Sequence, residues 1–216
     1  MSHASPAPAV ILVRPQEEGN VGAVARAMAN MGLEELMVVE PAVEVGELAR
    51  RFAVGAAPVL DGLRRESSLP AALAPYQRAV GTTSGRDRVL AAGAIAPRDL
   101  AAALAADPPG TRTALVFGPE SSGLTGDELA LLHPWVSVPC APAQPTLNLA
   151  QAVLIVAYEL QVAYPLAGAR RPTEPPATAD ELEGFFAQLS ELLERSGFAR
   201  DSTYAGTLRD LRQLCA

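Results

Sequence analysis

Three short stretches of the chain hold polar or charged residues where simple packing does not call for them. In the first, Asn20 to Met31, Arg26 is the single charge among Val21, Ala23, Val24, Ala25, Ala27, Met28 and Ala29. A guanidinium in such company is costly to bury unless a carboxylate or an anion meets it, so it is either a surface ion pair with a nearby Glu or an anion site. The second, Phe117-Gly118-Pro119-Glu120-Ser121-Ser122-Gly123-Leu124, is a Gly-rich turn. Such turns are often plain strand-to-helix loops, but at the edge of an α/β sheet their free backbone N–H groups face ligands. In the third, Pro145-Thr146-Leu147-Asn148-Leu149-Ala150, Asn148 sets a carboxamide into an apolar run and needs hydrogen-bond partners. Asn20 and Thr146 each read first as helix N-caps.

The elements that must position these residues follow from hydrophobic pattern. Val10 to Val13 reads as a buried strand, and Leu36 to Val39 as a second, closed by Pro41. Arg78 to Val80 precedes Gly81-Thr82-Thr83, Ala114 to Phe117 precedes Gly118-Pro119, and Val136 to Val138 ends at Pro139. Helical stretches lie between: Asn20 to Met31, stopped by Gly32, then Gly46 to Gly55, Pro97 to Ala105, and Thr125 to Leu132 with a capping-box pattern of Thr125 and Glu128. Alternation of this kind predicts a parallel sheet covered on both faces. Leu147 to Tyr164 is apolar nearly all round, which predicts a core or subunit-interface helix. Residues 1–164 form the main domain in this reading and 165–178 a Pro-rich linker. Residues 179–216 form two amphipathic helices, carried by Leu182, Phe185, Phe186, Leu189, Leu192 and Leu193, then by Tyr204, Leu208, Leu211 and Leu214.

Composition removes several function classes. Every one of the 17 basic residues is Arg, so lysine Schiff-base chemistry and a P-loop are excluded. Cys140, Cys215, His3 and His133 are too few and too scattered for a zinc site or a disulfide framework. A net charge of −7 confines any nucleic-acid contact to a local basic patch. The first residues lack the charged and apolar regions of a signal peptide, which makes a cytoplasmic location the expectation.

Read in order, Asn20-x-Gly22-x-x-x-Arg26, Phe117-Gly118-x-Glu120-x-x-Gly123-Leu124 and Leu147-Asn148-Leu149-Ala150 resemble the three motifs of the TrmH-like RNA 2'-O-ribose methyltransferases of the SPOUT superfamily. Two positions depart from the usual pattern. Pro119 stands where that group has Arg, removing a cation and an N–H, and Thr146 stands where it has Ser, keeping the hydroxyl. Arg26 to Leu33, Phe117 to Glu128, Asn148 to Glu159 and the tail look most like the branch that modifies cytidine or uridine at the first nucleotide of the tRNA anticodon loop.

That resemblance implies a Rossmann-like parallel α/β fold whose C-terminal portion forms a trefoil knot, followed by a short helical extension. It implies S-adenosylmethionine bound by Thr82, Thr83, Ser84, Gly118, Gly123, Val138, Pro145, Thr146 and Leu147, and methyl transfer without a metal. Arg26, Asn20, Glu120 and Asn148 would be the catalytic set. The group assigns activation of the ribose hydroxyl to the position of Arg26. Because a guanidinium stays protonated, holding a phosphate and the ribose oxygen suits it better than acting as a base. A homodimer is also implied, with RNA lying across both subunits on arginines such as Arg14, Arg86, Arg88, Arg170 and Arg171, and with neither DNA nor membrane as partner. Methylation of ribosomal RNA and a non-catalytic RNA-binding relative are the alternatives.

Overall fold

The computed structural model describes residues 7–84, 93–108, 110–163 and 179–197. The chain divides into two compact units, Met1–Gly168 and Ala169–Ala216. In the first, strands β1 (Ala9–Val13), β2 (Leu36–Val39), β3 (Arg64–Glu66), β4 (Arg78–Thr82), β5 (Thr113–Phe117) and β6 (Trp135–Val136) build one six-stranded sheet in the order β3-β2-β1-β5-β4-β6. Every pairing is parallel. Helices α1 (Glu18–Asn30), α2 (Glu47–Phe52), α3 (Ala57–Asp61), α4 (Leu69–Leu73), α5 (Pro97–Ala105), α6 (Gly126–Ala130) and α7 (Leu149–Ala163) flank it.

Both faces of the central strands are buried, as their unbroken apolar runs require. Val10, Leu12, Leu115 and Phe117 pack with Val21, Val24 and Met28 of α1 and Val153, Val156 and Leu160 of α7. Ile11, Val13, Ala114 and Val116, on the opposite face, pack with Leu69 and Ala72 of α4 and Leu129 of α6. Gly22 lets α1 and α2 touch: a Cβ there would lie 2.1 Å from the Ala49 carbonyl oxygen. Glu18 ties the same pair, its Oε1 accepting from the amides of Gly46 (2.8 Å) and Ala49 (3.0 Å). Those bonds hold the Glu18 carboxyl below its ordinary range.

Several sequence expectations need correction. Asn20 does not cap α1, which begins at Glu18 after an extended Glu17. The last strand covers Trp135–Val136 rather than Val136 to Val138; beyond β4 it meets, among the described residues, only an isolated parallel bridge from Val136 to Ile95. Strand β3 was not expected, since Arg64, Arg65 and Glu66 carry no apolar signal; charge is tolerated at this sheet edge. Helices α3 and α4, five residues each with proline in the first turn, are too short to register as periodic. Thr125 does cap α6, with the full reciprocal capping box to Glu128.

In the second unit, α8 (Ala179–Ser196) buries Phe186 and Leu193 and exposes Phe185 and Leu192. The expected linker, the second tail helix, and Arg86, Arg88, Arg170 and Arg171 lie outside the described residues. Among the described residues no helix is long and apolar enough to cross a membrane.

Candidate active site

Three loops meet at the C-terminal edge of the sheet, the end at which open parallel sheets take ligands. Thr82, Thr83 and Ser84 leave β4, Phe117 to Gly123 leave β5, and Val138 to Leu147 follow β6; together they wall an open cleft. All nine residues proposed for the cofactor line it, as does Glu120. Val136, Cys140, Leu149, Ala152 and Val156 line it too, and sequence reading missed them because each looks like an ordinary core position.

The β5 loop has one allowed shape. A Cβ at Gly118 would stand 2.3 Å from the Leu124 nitrogen and 2.4 Å from the Gly123 carbonyl carbon, so only glycine lets the loop fold back on itself. Pro119 is buried, and its carbonyl accepts from the Gly123 amide at 2.8 Å, closing the turn. The Thr82 hydroxyl donates to the Val116 carbonyl (3.0 Å), which fixes the β4 end against β5.

Beside the cleft runs a chain of amide and carboxylate contacts between residues distant in sequence. Asn148 Oδ1 accepts from the Ala150 amide (2.9 Å), and the Gln151 side chain accepts from the Asn148 amide (3.2 Å), so Asn148 rather than Thr146 caps α7. With its oxygen so committed, Asn148 turns Nδ2 to Asn20 Oδ1 at 2.9 Å. Asn20 in turn donates Nδ2 to Glu120 Oε1 at 2.8 Å. Each amide orientation follows from the one before it. The second Glu120 oxygen accepts from the Gln16 amide (3.0 Å), and the Gln16 side chain accepts from the Ser121 amide (3.2 Å).

Arg26 is exposed rather than buried, on an outward stripe of α1 with Ala29 and Asn30, and it does not line the cleft. No ion pair to a nearby Glu forms: among the described residues it has no hydrogen-bond or salt-bridge partner. Arg14, expected as free basic surface, is instead committed to Glu128, with both guanidinium nitrogens on the carboxylate. This pair raises the Arg14 pKa; it also lowers that of Glu128, helped by the Thr125 amide and opposed by burial. Among the described residues no group of three or more His, Cys, Asp or Glu could hold a metal ion.

An open cleft with a hydroxyl-bearing strand end on one side, a Gly loop opposite and aliphatic side chains behind suits a nucleoside-containing molecule. Its apolar part offers Val136, Val138, Leu149 and Val156.

Comparison with known proteins identifies the family. The profile of the SpoU rRNA methylase family matches residues 7–158. The curated tRNA (cytidine/uridine-2'-O-)-methyltransferase TrmJ of Pectobacterium atrosepticum is 38% identical over 209 residues, which is 95% of this chain and 86% of the relative. The crystal structure of TrmJ from Z. mobilis ZM4 matches with a TM-score of 0.67 at 35% identity, covering 97% of this chain and 90% of that one. A structure concerned with 2-OH methylation of C/U34 on tRNA gives a TM-score of 0.58 at 27% identity, covering 73% of this chain and 95% of that one.

Proposed function

This chain belongs to the SpoU rRNA methylase family, and from that premise we propose that it methylates the ribose 2'-oxygen of a tRNA cytidine or uridine at nucleotide 32, the first of the anticodon loop. It is an S-adenosylmethionine-dependent tRNA 2'-O-methyltransferase. One observation carries the choice of RNA: the likeness to TrmJ runs over 95% of the chain and so takes in the tail, whereas the C/U34 structure matches 73% of it.

S-adenosylmethionine, when bound, supplies an electrophilic methyl on a sulfonium. The residues that would hold it are Thr82, Thr83, Ser84, Gly118, Gly123, Val138, Pro145, Thr146 and Leu147, which meet around one cleft. A ribose hydroxyl is a poor nucleophile until its developing charge is stabilised or its proton is lost. Asn20, Glu120 and Asn148 form a linked polar row beside the cleft, and in this reading they orient the ribose. Arg26 lies six residues beyond Asn20, about 9 Å along the helix axis. Exposed and without a partner among the described residues, it is available to a backbone phosphate and the ribose oxygen.

The reading extends to the architecture. Residues 1–164 are the methyltransferase domain, with a trefoil knot in the C-terminal portion, followed by a linker over 165–178 and a helical extension over 179–216. Membership of the SpoU rRNA methylase family supports the knot. A homodimer is part of the proposal as well. Leu154, Tyr158 and Val162 repeat at helical spacing on α7 and are 37%, 53% and 59% exposed, an apolar stripe that a second subunit would cover. A cytoplasmic location goes with a tRNA substrate.

Mapping of 2'-O-methyl marks in total RNA with and without the gene tests the substrate. The mark at nucleotide 32 of tRNA should disappear, and a loss in ribosomal RNA instead would replace this reading. Single-turnover assays test the mechanism. Arg26→Ala should keep the fold and cofactor affinity while cutting turnover by on the order of a hundredfold. Arg26→Lys should not restore it, because an ammonium lacks the planar fork. Near-normal turnover in Arg26→Ala would remove Arg26 from the mechanism.

A further inference from the structure

We propose that Gln16 is a positioning residue for Glu120 and for the Gly118–Gly123 wall of the cofactor cleft, an inference that rests on the S-adenosylmethionine reading of that cleft. Gln16 is exposed and contributes nothing to the core, and it belongs to none of the three motifs. It nevertheless makes two bonds to the loop: its amide donates to Glu120 Oε2 at 3.0 Å, and its side-chain Oε1 accepts from the Ser121 amide at 3.2 Å. The two bonds run in opposite directions between segments more than a hundred residues apart, so together they act as a clasp.

Gln16 is itself well anchored. Two residues earlier, Arg14 sits in the left-handed region (φ 44°), its amide donates to the Val39 carbonyl (2.8 Å), and its guanidinium grips Glu128 beyond the far end of the loop. Pro15 is buried, and its carbonyl accepts from the Ala42 amide (3.2 Å). The segment after β1 therefore holds the cleft wall at both ends, through Gln16 at Glu120 and Ser121 and through Arg14 at the capping box of α6.

Glu120 feels the clasp directly. One of its oxygens is taken by Asn20 and the other by the Gln16 amide, which leaves the carboxylate one orientation. The Gln16 side chain adds the anchor on the next residue. Without it, Ser121 loses its acceptor and this end of the loop is tied to the segment after β1 by Glu120 alone. An ordered wall costs less entropy to bind against, so the clasp acts on cofactor affinity before it acts on turnover.

The test uses the full chain with Gln16→Ala and Gln16→Met, the second keeping length while losing the acceptor. Hydrogen exchange without cofactor should show the Ser121 amide losing protection about tenfold in both variants, with the Thr113–Phe117 amides and the thermal midpoint unchanged. Titration calorimetry with S-adenosylmethionine should show affinity falling about fivefold, the size of one neutral hydrogen bond, with kcat at saturating cofactor within about twofold of wild type. Retained Ser121 protection, or unchanged affinity in both variants, would overturn the proposal. Normal protection and affinity in Gln16→Met alone would also overturn it, since packing rather than the acceptor would then matter. Failure of the wild type to bind S-adenosylmethionine would overturn the cofactor reading and this inference with it, while the exchange result would still report on the clasp.

Discussion

The two ends of the sheet solve the same problem with different chemistry. At the N-terminal end, Glu35 gathers Arg64, Arg112 and Tyr76, the Tyr76 hydroxyl donating at 2.8 Å and Arg112 approaching at 3.3 Å. The Arg112 guanidinium also lies 4.8 Å from the centre of the Tyr76 ring. At the C-terminal end, Glu120 gathers Asn20 and the Gln16 amide, and no cation reaches it among the described residues. Each carboxylate ties segments that are remote in sequence. The first is neutralised by its partners and closes on itself; the second is held by neutral donors beside an open cleft. A scaffold edge can use up its arginines in this way, whereas an edge that must receive a substrate gains from fixed dipoles that leave charge unspent.

Gly118 gives that comparison its largest test. A Cβ there meets backbone atoms of Gly123 and Leu124, which cannot yield unless the loop moves. Gly118→Ala should lower cofactor affinity by more than tenfold and cost about 2 kcal/mol of stability. Calorimetric titration beside urea unfolding measures both. Normal binding would mean that the loop does not shape the cleft.

How much of this was legible in the sequence depends on where the signal resides. Strands β1, β2 and β5 were readable because burial on both faces forces unbroken apolar runs, and the capping box at Thr125 was readable because its partners are three residues apart. Strand β3 owes its place to pairing with β2, a relation that Arg64, Arg65 and Glu66 do not reveal. The motif residues were legible through resemblance, but their contact was not: Asn20 lies 100 residues from Glu120 and 128 from Asn148. Local reasoning made Asn20 a cap and left Arg26 between a surface ion pair and an anion site. In the fold Asn20 serves a tertiary bond, while Arg26 falls on a narrow exposed stripe of α1 among the described residues. Gln16 left no trace at all, since a glutamine in an exposed turn has no pattern to match.

Glu35 provides the second test, smaller in scale and opposite in kind. Glu35→Ala strands two arginines and a tyrosine hydroxyl that are all partly solvated, so the loss should be about 1–2 kcal/mol. Cofactor affinity and turnover should stay within about twofold of wild type. Denaturant unfolding and a methyl-transfer assay check the pair of claims, and a large loss of turnover with intact fold would show that the two ends are coupled.

The smallest expected effect comes from Glu128, which sits at the C-terminal end yet is paired like the scaffold end. Its carboxylate takes both guanidinium nitrogens of Arg14 and also accepts from the Thr125 amide at 2.7 Å. The Arg14 bond, ahead of the Thr125 bonds and against the cost of burial, lowers its pKa. A folded pKa below the unfolded value of about 4.3 means that ionised Glu128 stabilises fully above about pH 4.3. That stability is lost as pH falls through the folded value. Arg14 stays charged throughout, so it adds no pH dependence of its own. Glu128→Gln keeps a carbonyl acceptor for the capping box but loses the ion pair, and it should cost about 1 kcal/mol at pH 7, as a partly exposed pair does. Unfolding curves for wild type and variant should run parallel from pH 7 to about 5 and converge below about 4. Glu18, whose pKa is also lowered, titrates in both proteins and cancels in the difference. A gap that stayed constant to the lowest pH at which both fold would show that it does not come from the ionised pair, and charge pairing would then belong to the N-terminal end alone.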